Sequence, residues 1–296
     1  MTNEKYSLFH VEGGLGKHIA ATAVAKAIKN NHSDRKLIVV CAYPEIFLNL
    51  KYVDRVYRIG TTPYFYQDYI LGNDSIIFKQ EPYFTTEHIY KRQSLIETWC
   101  QTFNLEYKGE TPELVFNFRQ KQFAFKKWAR TKPVMVIQTN GGPISDQPFP
   151  YSWTRDIPQY ITRGLIEYYK QTYHIIQICR SEENVIVYDG VEIVHTPMGN
   201  MELLSLLLVS DKQILIDSCL QHAAAALKKP STVLWIGTSP KVFGYDLHNN
   251  IQANLPEDFK LPDSYLFDYS FVGPLHECPI INEEDMFDFG EIISTI

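Results

Sequence analysis

The sequence predicts an α/β protein of two Rossmann-like domains that face each other across a ligand cleft. Three observations predict it. Short apolar runs rich in Ile, Val and Phe alternate with alanine- or leucine-rich segments of helical length, the order that builds parallel sheets through right-handed crossovers. The alternation starts twice, each time with a strand that ends in a glycine turn. The length of 296 residues exceeds one ordinary domain and suits two of roughly 100–150 residues each.

Taken in order, "YSLFHV" at 6–11 is a short strand, and an alanine-rich helix follows from about Lys17 to Asn31. "RKLIVVCA" at 35–42 is a continuous apolar run bounded by charge, the signature of a buried strand. "PEIFLNLKYVDRVYRI" at 44–59 reads as a short helix and a further strand. Residues 60–112 mix aromatic and polar side chains, with helical character from about Glu87, and "PELVFNF" at 112–118 has strand character. The basic stretch 119–132 separates the halves. The second half opens with the strand "PVMVIQTNG" at 133–141 and the turn Gly141-Gly142-Pro143, followed by the loop 144–158 and a helix at 157–172. Strands at 174–179, 192–197, 212–217 and "STVLWIG" then alternate with the helices "NMELLSLLLVS" and "SCLQHAAAALKK". Expected boundaries are 1–125, 126–250 and a tail, 251–296, that packs back on the first domain.

Composition narrows the class. A net charge of −6 argues against a protein that grips a long nucleic acid over its whole surface, though it leaves a local basic face open. No apolar run approaches the roughly 20 residues of a membrane span. The start "MTNEKYSLFHVEGG" lacks a secretory pattern. The five cysteines, Cys41, Cys100, Cys179, Cys219 and Cys278, are odd in number and widely spaced, without a CxxC pair. A reduced, cytoplasmic protein without structural zinc is expected.

The most informative stretch is "ILIDSCLQHAAAALKKPSTVLWIGTSPKVFGY" at 214–245. A buried strand ends at Asp217, and Ser218 suits the N-cap of the next helix. In open α/β sheets ligands bind beyond the carboxyl ends of the strands, and a helix N-terminus there favours phosphate through its free N–H groups and dipole. His222 falls one turn after Ser218 on the same face and can offer a hydrogen bond or positive charge to a diphosphate. Small alanines then allow close approach to the sheet. Read singly, Asp217 and Ser218 make an ordinary helix cap and His222 a histidine beside the core.

Together these residues resemble the carboxyl-terminal signature of the family-9 glycosyltransferases, the lipopolysaccharide heptosyltransferase group. That signature reads D-[ST]-G-x-x-H-x-A-A-A-L-x-x-P, then an apolar strand and G-x-T-x-P. Asp217, Ser218, His222, the alanines from Ala223, Leu227 and Pro230 match it, and Gly237, Thr238 and Pro240 follow with a spacing shorter by one. Cys219 replaces the glycine. The resemblance is strong at 214–240 and extends loosely over 6–245. It implies the GT-B fold and an inverting, metal-independent glycosyltransferase without a cofactor. Its carboxyl-terminal domain would bind a nucleoside-diphosphate sugar, and its amino-terminal domain would present an acceptor hydroxyl. The acceptor is expected to be a saccharide, with nucleic acid as a second possibility.

The first glycine turn departs from that family. Where the family has an aspartate, the proposed general base, this chain reads Gly13-Gly14-Leu15-Gly16-Lys17. A lysine beside phosphate stays protonated and cannot take a proton, so Lys17 reads as a phosphate binder, together with Gly13, Gly14 and Gly16. The turn also resembles the glycine turns of starch synthases and fucosyltransferases. The base role passes to His18, then Glu12, then His10, because an imidazole near its ordinary pKa accepts protons at pH 7. By the same logic Thr139 and Asn140 end a strand where phosphate or sugar would sit. Arg180 can pair with phosphate bidentately and Glu202 can accept from ribose hydroxyls. Each also has an ordinary reading, as turn, ion pair or helix-end charge. Trp153 matches the family's entry to a helix, and His88, Arg92 and nearby tyrosines are candidate acceptor contacts. Two alternatives remain: a non-catalytic nucleotide-sugar binding protein on the same scaffold, or a glycosyltransferase that modifies nucleic acid through Lys126, Lys127, Arg130 and Lys132.

Overall fold

The computed structural model describes residues 4–141, 151–180, 186–256, 259, 278–280 and 282–296. The chain divides into two compact units, Met1–Asn117 and Phe118–Ile296.

In the first unit, β1 (Lys5–Val11) leads into α1 (Leu15–Asn31), followed by β2 (Lys36–Cys41), β3 (Arg55–Arg58), α2 (Phe65–Tyr69), β4 (Asp74–Phe78), α3 (Thr86–Ile89) and α4 (Leu95–Thr102). The strands form a parallel sheet in the order β3-β2-β1-β4. Alanines 20, 21, 23, 25 and 27 are buried on α1, which lets the helix lie close to the sheet. Phe9 enters the core against Trp99 and Phe103, with ring centroids 5.7 and 5.9 Å away. Tyr6, Leu8, Ile38 and Tyr69 form a smaller cluster.

The second unit begins with α5 (Phe118–Trp128). Then come β5 (Val134–Gln138), α6 (Gln159–Tyr169), β6 (His174–Arg180), β7 (Val191–Thr196), α7 (Asn200–Val209), β8 (Lys212–Ile216), α8 (Cys219–Ala226), β9 (Thr232–Trp235), α9 (Pro240–Phe243), β10 (Asn249–Gln252) and α10 (Phe289–Ser294). The parallel sheet runs β10-β9-β8-β5-β6-β7. That is the doubly wound order in which the chain lays two strands outward on one side of β5, β6 and β7, and then three on the other, β8 to β10. Every residue of β5 is buried, as its unbroken apolar run predicts.

Several expectations change. Of the residues expected as a strand at 112–118, 112–117 form no strand and Phe118 opens α5. Leu114 and Phe116 are buried while Val115 is exposed, so the alternation is real. The backbone, however, is held by side chains: Glu113 N–H donates to Thr22 Oγ1, and Asn49 donates to the Val115 carbonyl. The basic stretch expected at the boundary is a helix of the second unit. The helix expected from Glu87 is two short ones, α3 and α4, separated where Lys91 takes a left-handed φ of 52°. The tail was expected on the first domain, but its described residues pack in the second unit. Met286, Phe287 and Ile292 join that unit's core, and Tyr169 donates to the Ile293 carbonyl. Gly142, Pro143 and the loop 144–150 lie outside the described residues. Among the described residues no helix is long and apolar enough to cross a membrane.

Candidate functional site

Each sheet has one point where successive connections leave in opposite directions, the place at which open α/β sheets bind ligands beyond the strands' carboxyl ends. In the second unit this is the gap between β5 and β8. Gln138 ends β5. Asp217 and Ser218 follow β8, and Ser218 is the N-cap of α8, its hydroxyl accepting from Leu220 N–H at 3.3 Å. The same hydroxyl donates to Gln138 Oε1 at 2.7 Å, which ties the two strand ends together. The helix dipole and first N–H groups of α8 therefore point into the position where an anion is most stabilised. Asp217 is nearly buried, and Arg155 Nε lies 3.8 Å from its carboxylate with 43% of the arginine side chain exposed. At the end of β9, Gly237 is required by close packing: its N–H donates to the Thr154 carbonyl at 2.7 Å, and a Cβ there would lie 2.5 Å from Thr154 Cβ.

His222 does not have the charge expected of it. It is buried, and burial pushes its pKa down to about 4, so the ring is neutral at pH 7. Gln221 Nε2, which also donates to the Phe243 carbonyl at 3.0 Å, lies 3.1 Å from His222 Nε2. That contact makes Nε2 the acceptor and leaves Nδ1–H to donate to Tyr245 Oη at 2.7 Å. His222 thus braces α8 against the segment after α9 and offers no cation to a diphosphate. Burial likewise raises the Cys219 thiol to about 11, so the residue in the glycine's place is an inert thiol.

The other predicted ligands are largely spent inside the unit. Thr139 is buried and bonded at three points: its N–H donates to the Ile178 carbonyl, its carbonyl accepts from Ile157 N–H, and its hydroxyl accepts from Gln177. Asn140 Oδ1 accepts from Arg180 N–H at 2.6 Å. Arg180 donates to the Gly141 carbonyl at 2.9 Å and pairs with Asp156. Glu202, in the first turn of α7, pairs with Lys127 of α5. Thr139 and Arg180 therefore shape the rim and do not present free groups. Trp153, at the entry to α6, packs against the core of the second unit.

In the first unit the corresponding gap lies between β1 and β4. Glu12 and Gly13 follow β1, and Gly13 has φ +95°, open to glycine alone at low cost. Gly14 is the N-cap of α1 and brings no side-chain cap. Gly16 and Lys17 lie in the first turn. Lys17 is 8% exposed and is paired with Glu81, which follows β4. Its ammonium sits 5.0 Å from the Tyr83 ring centroid and 5.3 Å from that of Trp99. The charge expected to meet phosphate is thus neutralised within the unit. His18 is wholly buried. Ala42 N–H donates to its Nε2 at 3.1 Å, so Nδ1–H donates to the Gly14 carbonyl at 2.9 Å. Burial also lowers its pKa. With both nitrogens engaged, His18 fastens the glycine turn to the end of β2 and is not a proton acceptor. Glu12 remains open, 58% exposed, with His10 Nδ1 3.5 Å from its carboxylate. His10 itself is pushed down by burial. His88 is buried, its pKa lowered to about 4, and its ring packs edge-on to Tyr83. Arg92 lies over the Tyr90 ring at 5.4 Å.

Gln138, Arg155, Tyr245 and Glu81 escaped the sequence reading. Each meets its partner through the fold alone: Arg155 is 62 residues from Asp217, and Glu81 is 64 from Lys17. A polar Gln closing an otherwise apolar strand was the one available signal. Among the described residues no group of three or more His, Cys, Asp or Glu side chains is placed to hold a metal ion.

No family model matches the chain, and no curated protein matches it. Solved structures do. A glycosyl transferase family 9 protein from Veillonella parvula DSM 2008 superposes with a TM-score of 0.69 at 9% identity, over 100% of this chain and 97% of that one. ADP-heptose lipopolysaccharide heptosyltransferase II of E. coli gives 0.60 at 11% identity, over 85% and 91%. E. coli heptosyltransferase WaaC, solved with ADP, gives 0.57 at 12% identity, over 84% and 93%. At such identities the likeness is one of fold: the chain has the GT-B architecture of these glycosyltransferases.

Proposed function

We propose that this protein is a glycosyltransferase that moves a sugar from a nucleoside-diphosphate donor to an acceptor hydroxyl, with inversion and without a metal ion. The reading rests on one observation above the others: α8 begins at the β5–β8 switch point, capped by Ser218 and flanked by Asp217 and Arg155. The donor diphosphate sits against the first N–H groups of α8, with the exposed Arg155 guanidinium as the cation that His222 does not supply. The acceptor oxygen attacks the anomeric carbon as the bond to the diphosphate breaks. The electron pair leaves with the diphosphate, whose growing charge the helix terminus and Arg155 stabilise in place of a metal. The proton released by the hydroxyl goes to Glu12, the exposed carboxylate at the end of β1.

The test is thermal unfolding with UDP-, GDP-, ADP- and CMP-linked sugars. One class is expected to stabilise the protein, by about 2.7 kcal/mol at a hundredfold excess over its Kd. Arg155→Gln and Ser218→Ala are expected to shrink that shift. If every nucleotide sugar leaves the transition unmoved, the reading is wrong. A second reading, donor binding without transfer, is favoured by the first turn of α1, where a Lys17–Glu81 pair and a neutral His18 replace an open acid. A donor that stabilises the protein but is neither hydrolysed nor transferred to any saccharide acceptor decides for it.

A further inference from the structure

Helix α5 is anchored along a narrow line. Of its eleven residues only Ala124 and Trp128 are buried, and Trp128 Nε1 donates to Ser205 of α7 at 3.1 Å. Beside that line one flank carries Phe118 at 73% exposure and Phe125 at 55%, while Phe123, at 48%, lies about 140–160° away from them on the other flank. At about 100° per residue, Phe118 and Phe125 lie within about 20° of each other around the axis. Lys121 falls about 60° to one side of Phe118, and Lys126 and Arg119 about 80–100° to the other. All three cations are exposed.

The charges are as uneven as the apolar groups. Residues 119–132 hold six lysines and arginines and no acid, in a chain of net charge −6. The inward cations are compensated: Lys127 pairs with Glu202 and Arg130 with Glu192. Among the described residues Arg119, Lys121 and Lys126 pair with no carboxylate. Single exposed apolar residues are ordinary, but two adjacent exposed phenylalanines framed by unpaired cations on one short helix are the pattern of an interfacial helix.

We propose that the flank of α5 marked by Phe118 and Phe125 docks the protein reversibly on an anionic lipid surface, with those two rings entering the headgroup region and Arg119, Lys121 and Lys126 meeting lipid phosphates. The face is a single convex helix about 16 Å long. A single-stranded nucleic acid would need a charged groove that follows its backbone, so the lipid surface is the better fit. The inference is independent of the donor chemistry.

The test is co-sedimentation of the full chain with vesicles of phosphatidylcholine alone and of equal parts phosphatidylcholine and phosphatidylglycerol. Binding is expected to the anionic vesicles only and to weaken with salt. F118S/F125S is expected to lower partitioning at least tenfold, and each Gln in place of Arg119, Lys121 or Lys126 roughly fivefold. Because these side chains are exposed, unchanged melting temperatures are expected. K132Q, at a residue bonded to the carbonyls of Lys170 and Gln171, is expected to bind as wild type. Absence of binding to anionic vesicles overturns the proposal. So does retention of polyuridine without vesicle binding, or a dimer that F118S/F125S converts to monomer.

Discussion

At the scale of single residues, the first glycine turn separates two carboxylates by their surroundings. Glu81 holds Lys17, whose ammonium is almost out of water, whereas Glu12 has only the His10 ring beside it and stands in solvent. Glu81→Gln leaves a buried lysine without its counter-charge and is expected to cost on the order of 2 kcal/mol of stability. Glu12→Gln removes an exposed group and is expected to change stability by less than about 0.5 kcal/mol while slowing transfer by roughly 10²–10⁴. Denaturant melts beside initial rates check the pair, and a Glu12→Gln enzyme of full activity refutes the assigned base. His222 gives the second expectation at this scale. Its folded pKa, about 4, lies below the ordinary 6.5. Between those values the unfolded chain binds more protons, so the contribution of the neutral ring is complete above pH 6.5 and is lost as pH falls toward 4. The loss amounts to about 3 kcal/mol. Unfolding midpoints from pH 7 to 4 are expected to fall, and His222→Gln is expected to flatten the slope. An equal slope in the variant assigns the acid sensitivity to other groups.

At the scale of elements, what was legible followed how completely an element is enclosed. Strand β5 is buried throughout, and nothing but a strand accounts for "VMVIQ" between charges and a glycine turn. The strand–cap–helix passage of β8 and α8 was legible for the same reason, since Asp217, Ser218 and the alanines obey local rules of capping and close packing. Edge strands were harder. Of the four edge strands, paired on one side only, β3 and β7 were read but β4 and β10 were not: "NNIQ" has a single apolar residue, and the short run in "DSIIF" is set in a stretch of mixed aromatic and polar side chains. Residues 112–118 erred in the other direction. Their alternation is genuine, but it records burial of Leu114 and Phe116 beside a backbone and side chain tied to α1 at Glu113, and a ladder partner is a property no local pattern encodes. The candidate ligands met the same limit. Polar residues at strand ends were located correctly, yet whether Arg180 meets a ligand or Asp156, or His18 a substrate or the Ala42 amide, depends on residues far away in sequence.

At the scale of the whole molecule, each of the two units has its own sheet, switch point and core. The family-like stretch 214–240 lies wholly in the second unit, as do the described groups proposed to meet the donor, so the proposed donor site belongs to that unit. Where the unit begins matters. A boundary at 125, as composition suggested, cuts through α5 and removes Ala124, one of the two buried residues by which that helix is held to α7. The remaining turn would be too short to stay helical unaided, and Trp128 would lose its neighbour while keeping its bond to Ser205. The fragment 118–296 is therefore expected to fold and to be stabilised by the same nucleotide sugar as the full chain, without transferring it, because Glu12 is absent. The fragment 126–296 is expected to melt at a lower temperature, and 1–117 to show no shift with any nucleotide. Melting curves of the three fragments with and without donor give the answer. Donor stabilisation of 1–117, or its loss from a folded 118–296, would move the nucleotide site out of the β5–β8 crevice.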